Sequence, residues 1–209
     1  AEDIIRRVML KNLTPFTVGS KGSDIRLIKA EQAEVGQMLR LGMADGEYDV
    51  PLPLVGDFQA SNALVAAGLV LATGGEASLV RHALASLKGA TGRLELVGRK
   101  DNGARIYVDY AHTPDAVETA LKALRPSVAG ALYVVFGCGG DRDKGKRPLM
   151  AASASENAEH VYVTDDNPRT EDAATIRREA LAGAPHAIEI ADRAKAIAIA
   201  VSALKPGDV

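Results

Sequence analysis

From residue 131 onward, short apolar runs alternate with segments of helical spacing, and this alternation limits the possible folds more than any other feature. Residues 131–136, 160–164 and 186–191 read as strands, each brief and apolar. Residues 149–158 read as a helix, as do a stretch from near Asp172 to just before Gly183 and a segment capped by Asp192. Strand then helix, repeated, implies an α/β fold with a mostly parallel sheet and helices on both faces. Ligands of such sheets bind at the strand C-terminal ends. Loops at residues 110–114, 137–148 and 165–170 stand at those ends.

Upstream the pattern differs. Residues 94–99 and 104–110 read as two strands joined by Asp101-Asn102-Gly103, a hairpin signal because Asn and Gly tolerate positive φ. Thr113, Pro114 and Asp115 form a helix start, with an N-cap hydroxyl, Pro at the first helical position and an acid in the first turn. That helix should end near Arg125, before Pro126. Residues 25–30, 35–41 and 47–54 read as short strands, and 62–72 and 76–87 as a packed helix pair; the first third otherwise holds few helix signals. Gly89, Thr91 and Gly92 cluster at a boundary, giving expected domains at 1–91 and 92–209. Lys205-Pro206-Gly207-Asp208-Val209 reads as a turn leading into a further strand, and both chain ends read as truncations.

A formal net charge of −2 provides no basic field to recruit nucleic acid or an anionic membrane. No run is long enough for a membrane helix. One Cys and four His leave little material for a zinc site, and a single Cys fits a reducing, cytoplasmic setting.

The 137–148 loop is glycine-rich and basic, and such a turn before a helix suits an anion. The dinucleotide fingerprint G-x-G-x-x-G fails at Arg142. The P-loop pattern runs from Gly140 to Gly145-Lys146 but ends on Arg147, which has no hydroxyl to hold Mg²⁺. In the loop Asp165-Asp166-Asn167-Pro168-Arg169, acids and an amide suit an ammonium, and Arg169 suits a carboxylate. The set therefore fits a zwitterionic amino acid, while an Asx-type turn before a helix remains an alternative. Asp109 is placed to accept from ribose hydroxyls, or else is a turn residue; His112 sits just before a capped helix.

These loops, together with residues 56–62 and 92–95, resemble the Mur ligase family in order and spacing, over residues 39–209. The resemblance implies a Rossmann-like C-terminal domain preceded by the end of a P-loop-type ATPase domain. It implies ATP-dependent amide formation through an acyl phosphate, in cytoplasmic peptidoglycan synthesis, by a protein that is usually a monomer. The implied substrates are a UDP-N-acetylmuramoyl-dipeptide and, from the string Asp166-Asn167-Pro168-Arg169, meso-diaminopimelate. By the same resemblance Asn62 contacts adenine, Arg93 swings to the ATP phosphates and is the catalytic candidate, Asp109 takes the ribose, and His112 lies against ATP. Arg142, Asp166, Asn167 and Arg169 take the amino acid. Gln59 stands where Asn is frequent in the family. The family's N-terminal domain, P-loop, Mg²⁺-binding acid and carbamylated lysine fall outside these residues. No metal ligand is therefore expected within them, and the 209 residues alone are expected to be inactive. Lysine-adding ligases, folylpolyglutamate-type ligases and a non-catalytic Rossmann-like binding module are the alternatives.

Overall fold

The structure, a computed structural model, describes residues 2–33 and 36–209. It divides into two compact units, residues 1–89 and 90–209.

The first unit opens with helix α1 (Glu2–Leu10), where few helix signals were expected. Arg7 in its last turn suits the negative end of the helix dipole. Strands β1 (Val18–Gly19), β2 (Ile25–Gln32), β3 (Gln37–Met43) and β4 (Gly46–Leu52) follow in one sheet, ordered as in sequence. β1 and β2 are parallel and the other pairs antiparallel. The expected strand start at Val35 lies outside the described residues. Helices α2 (Asp57–Ala72) and α3 (Ala77–Ala85) cover the sheet. Leu39, Leu41 and Leu52 from the strands pack with Ala63 and Leu64 of α2 and Leu84 of α3. Each fully buried leucine contributes roughly 1.5–3 kcal/mol. α2 begins five residues before Asn62, where the apolar run starts. Gly56, at φ 95°, turns the chain into it without a side-chain cap, so no capping signal marks the start.

The second unit begins with the hairpin β5 (Glu95–Arg99) and β6 (Arg105–Val108), antiparallel as the Asn-Gly turn requires. Helix α4 (Pro114–Leu124) follows, capped by the Thr113 hydroxyl, which accepts from Ala116 N–H. Strands β7 (Tyr133–Phe136), β8 (His160–Val163) and β9 (Ile188–Glu189) form a parallel sheet. Helices α5 (Lys146–Asn157), α6 (Ala173–Leu181) and α7 (Arg193–Ala203) alternate with them. Asp172 and Asp192 cap α6 and α7 through their side chains. Val117 and Leu121 of α4, Met150 of α5 and Ile176 of α6 share one core with Phe136 and Val163. α5 begins at Lys146 rather than near Leu149, so Pro148 lies inside its first turn, where its missing N–H leaves no bond unmade.

The last described residues pair along the β7 edge of this sheet. Val209 donates to Ala131 O at 3.1 Å and accepts from Tyr133 N–H at 2.8 Å, the pattern of a parallel pair. Asp208 O accepts from Arg105 N–H at 3.3 Å, which ties the hairpin to the same edge. The Asp208 carboxylate is buried, and it accepts from Ala131 and Lys205 N–H, each at 2.8 Å.

Candidate functional site

β7 and β8 end side by side, with Phe136 opposite Val163, so their C-terminal loops leave the sheet as neighbours. They are closely interlocked. Gly140 N–H donates to Asn167 O at 2.9 Å. A Cβ on Gly140 would lie 1.8 Å from Pro168 O, so only glycine permits this approach. The Arg169 guanidinium donates back to Gly140 O. Thr170 Oγ1 donates to Asp141 Oδ1 at 2.7 Å. Asp141 and Arg169 both hold left-handed backbone, at φ 51° and 49°. For such residues that conformation costs on the order of 1 kcal/mol each.

Beneath the loops lies Arg147, which is only 1% exposed. Its guanidinium donates to both oxygens of Glu171, at 3.0 and 2.7 Å, and to Glu179 at 2.5 Å. Its Nε is buried without an acceptor among the described residues. Glu171 also accepts from Asp141 N–H at 2.7 Å and lies 3.2 Å from Lys144 Nζ. The Arg147 hydrogen bonds, followed by the one from Asp141, hold the Glu171 carboxyl at about 2. The Glu171 hydrogen bond in turn raises the Arg147 pKa above its already high usual value.

The second loop is also held from the other side. Arg177, on α6, grips the Asp165 carboxylate and donates to Glu189 at 2.7 Å. Arg193, the first residue of α7, donates to Asp165 O at 3.0 Å and stands 4.0 Å from Asp166 Oδ1. Asp165 is thereby occupied, and Asp166 is the acid of this loop that faces open space.

That space is a cavity of about 750 Å³ bounded wholly by the second unit. Asp109, His112, Arg142, Asp166 and Arg169 all line it. The cavity therefore brings together five residues proposed for two different ligands. Arg142 is exposed and lies within salt-bridge distance of no acid among the described residues. Asn167 does not line the cavity; its Oδ1 accepts from Arg169 N–H at 3.2 Å, the Asx-type turn held open as an alternative. Asp109 accepts from Leu94 N–H at 2.9 Å and from Ala111 N–H at 2.8 Å. A carboxylate has about four acceptor sites, so those left over can meet hydroxyls. His112 Nδ1 is 3.0 Å from Tyr110 O, and its ring meets the Tyr110 ring edge-on, with centres 5.3 Å apart. Arg93 is exposed, with its guanidinium 5.1 Å from the centre of the Tyr110 ring. Asn62 stands on an exposed side of α2 in the first unit.

Sequence reasoning missed Lys146 and Arg193, which add cations to the cavity wall. Arg193 had a signal: it directly follows an N-cap at the C-terminal end of a sheet strand. Arg147 was noticed only as the residue that spoils a P-loop. Glu171 and Glu179 had no signal, because their partner lies more than twenty residues away in sequence. Cys138 lines the same cavity but is buried, which pushes its thiol up to about 11. No group of three or more His, Cys, Asp or Glu among the described residues is arranged to hold a metal. No helix among them is long and apolar enough to cross a membrane.

The site thus offers planar cations for carboxylates and, in Asp166, an exposed acid for an ammonium. A family model described as Mur ligase, glutamate ligase domain, matches residues 92–209, more than half the chain. The chain belongs to the Mur ligase family. Among the relatives of this Mur ligase chain is the UDP-N-acetylmuramoyl-L-alanyl-D-glutamate--2,6-diaminopimelate ligase of Zymomonas mobilis. It is 52% identical over 209 residues, covering 100% of this chain and 43% of that protein. A solved structure of a ligase with the same name has a TM-score of 0.69 at 33% identity, over 99% of this chain and 44% of that one. The folylpolyglutamate synthase of Thermotoga maritima has a TM-score of 0.72 at 23% identity, over 100% of this chain and 47% of that one, a likeness of fold alone. The Mur ligase chain thus spans less than half the length of these relatives.

Proposed function

We propose that the protein carrying this chain is an ATP-dependent amide ligase that adds meso-diaminopimelate to UDP-N-acetylmuramoyl-L-alanyl-D-glutamate in cytoplasmic peptidoglycan synthesis, acting as a monomer. The observation that carries the reading is the convergence of Arg142, Asp166 and Arg169 on one cavity at the ends of β7 and β8. An amino acid with a second carboxylate and a second ammonium suits two arginines and an open acid. The name borne by the 52%-identical relative supports the same substrate. In this reading residues 92–209 are the C-terminal ligase domain and residues 1–91 the end of the ATP-binding domain.

ATP supplies the phosphoryl group that turns the acceptor carboxylate into an acyl phosphate, with ADP leaving. The incoming amine, having lost a proton, attacks the acyl carbon; the C–N bond forms and inorganic phosphate departs. Arg142 and Arg169 hold the amino acid's carboxylates, and Asp166 orients an ammonium. Asn167 shapes the loop through its Asx turn rather than touching the cavity itself. Asp109 and His112 receive the nucleoside, and Arg93 meets the phosphates. Positioning and charge neutralisation supply most of the rate enhancement in such chemistry.

The test is amine-dependent ADP release by the full-length protein with the UDP-linked dipeptide and, in turn, meso-diaminopimelate, lysine and glutamate. Release with meso-diaminopimelate well above the other two is expected. Equal or faster release with lysine or glutamate overturns the substrate assignment.

A further inference from the structure

Arg147 borders the cavity but is only 1% exposed, so it acts on a ligand through its neighbours. Its contacts reach both loops. It is 3.4 Å from Gly139 O in the first and makes two hydrogen bonds to Glu171, which directly follows the second. Glu171 returns to the first loop through Asp141 N–H and Lys144. Each loop carries one non-glycine residue in left-handed conformation: Asp141, directly before Arg142, and Arg169 itself. Such conformations persist only where the surroundings over-determine them, and relaxation to negative φ would swing the adjoining side chains away.

We propose that Arg147 and Glu171 are positioning residues of the amino-acid subsite, holding the two loops at the spacing that aims Arg142 and Arg169 into the cavity. The proposal rests on the ligase reading above. A buried ion pair is a poor device for stability alone, since an apolar side chain of similar volume often does as well. What the pair adds is fixed geometry, because the fork of Arg147 fits Glu171 in one orientation.

The experiment compares Arg147→Met, Glu171→Gln and the double variant in the full-length ligase, with Arg142→Ala as the control for the subsite itself. Both single variants should raise KM for meso-diaminopimelate at least tenfold while leaving KM for ATP within twofold. The double variant should be no worse than the poorer single one, because the two residues act as a unit. If Arg147→Met does not fold, Glu171→Gln, which keeps size and shape, decides alone. A folded Glu171→Gln variant with KM for the amino acid within twofold of wild type, while Arg142→Ala raises it, overturns the positioning role. Equal increases in both KM values mean a merely structural pair and also overturn it. An unmoved KM in Arg142→Ala removes the subsite reading, and this inference falls with it.

Discussion

The Asp109 carboxylate holds Leu94 in a left-handed backbone conformation: it accepts Leu94 N–H at 2.9 Å, and Leu94 sits at φ 44° with its side chain buried. Asp109 therefore has a structural task besides any contact with ribose. Its second oxygen accepts from Ala111 N–H at 2.8 Å, so one side chain joins the entry to β5 with the exit from β6. Asp109→Ala should destabilise the chain by about 2 kcal/mol, the scale for losing charged acceptors of backbone N–H groups. Asp109→Asn, which keeps one acceptor oxygen, should cost less. Chemical denaturation without nucleotide separates this effect from any loss of ATP affinity.

The Arg147–Glu171 pair sets an acid limit. The Glu171 carboxyl is held at about 2, below its ordinary 4.5, chiefly by the Arg147 hydrogen bonds. A depressed carboxyl contributes stability that is full above its unfolded pKa and is lost as pH falls through its folded one. The stability difference between wild type and Glu171→Gln should stay flat above about pH 5, shrink below 4.5 and vanish near 2. Denaturant titrations of both proteins across that range check the window.

Cys138 lies in the wall of the site, yet it should behave as an inert apolar group. Burial raises its thiol to about 11, and Met150 Sδ lies 4.0 Å from its sulfur. The thiolate is the reactive form, so the folded chain should label slowly with a thiol reagent at pH 8 and rapidly in denaturant. Labelling at equal rates in the two conditions contradicts the assignment.

Gly140 tests how closely the loops must approach. A Cβ there would meet Pro168 O at 1.8 Å, and backbone cannot move aside as a flexible side chain can. Gly140→Ala should separate the loops, break the Gly140 to Asn167 hydrogen bond and weaken amino-acid binding more than tenfold in the full-length ligase. Substrate KM with a parallel thermal melt distinguishes a displaced loop from a failure to fold.

The outline of the second unit was legible because its signals are local. Thr113, Asp172 and Asp192 each cap a helix through a side chain, and each is followed by the helix expected there. Asp101-Asn102-Gly103 turns the hairpin for an equally local reason. Where starts depended on tertiary context they were misread: α2 begins at Asp57, after Gly56, without a side-chain cap, and α5 takes Pro148 into its first turn. Within the site, charge and loop position pointed to Arg169 and the acids of its loop, and the family resemblance added Arg142. The ion pairs that hold those loops were invisible, because pairing across 24 residues leaves no periodicity to read.

The near-match to a P-loop supplies the last prediction. A working P-loop needs a hydroxyl after its lysine to hold Mg²⁺, and here that place belongs to Arg147. The structure commits Arg147 to Glu171 and Glu179, and places Asp143 and Glu171 carboxylates around the same turn. Acids at the turn repel a triphosphate, and a guanidinium already paired with two carboxylates has little charge left to attract one. The 209-residue chain by itself should therefore release no ADP on addition of the UDP-linked dipeptide and meso-diaminopimelate, even at millimolar ATP. A coupled ADP assay on the purified chain checks this, with the full-length protein as the positive control. Substrate-dependent release from the chain alone would place a complete phosphate site within these residues and overturn the reading of this loop.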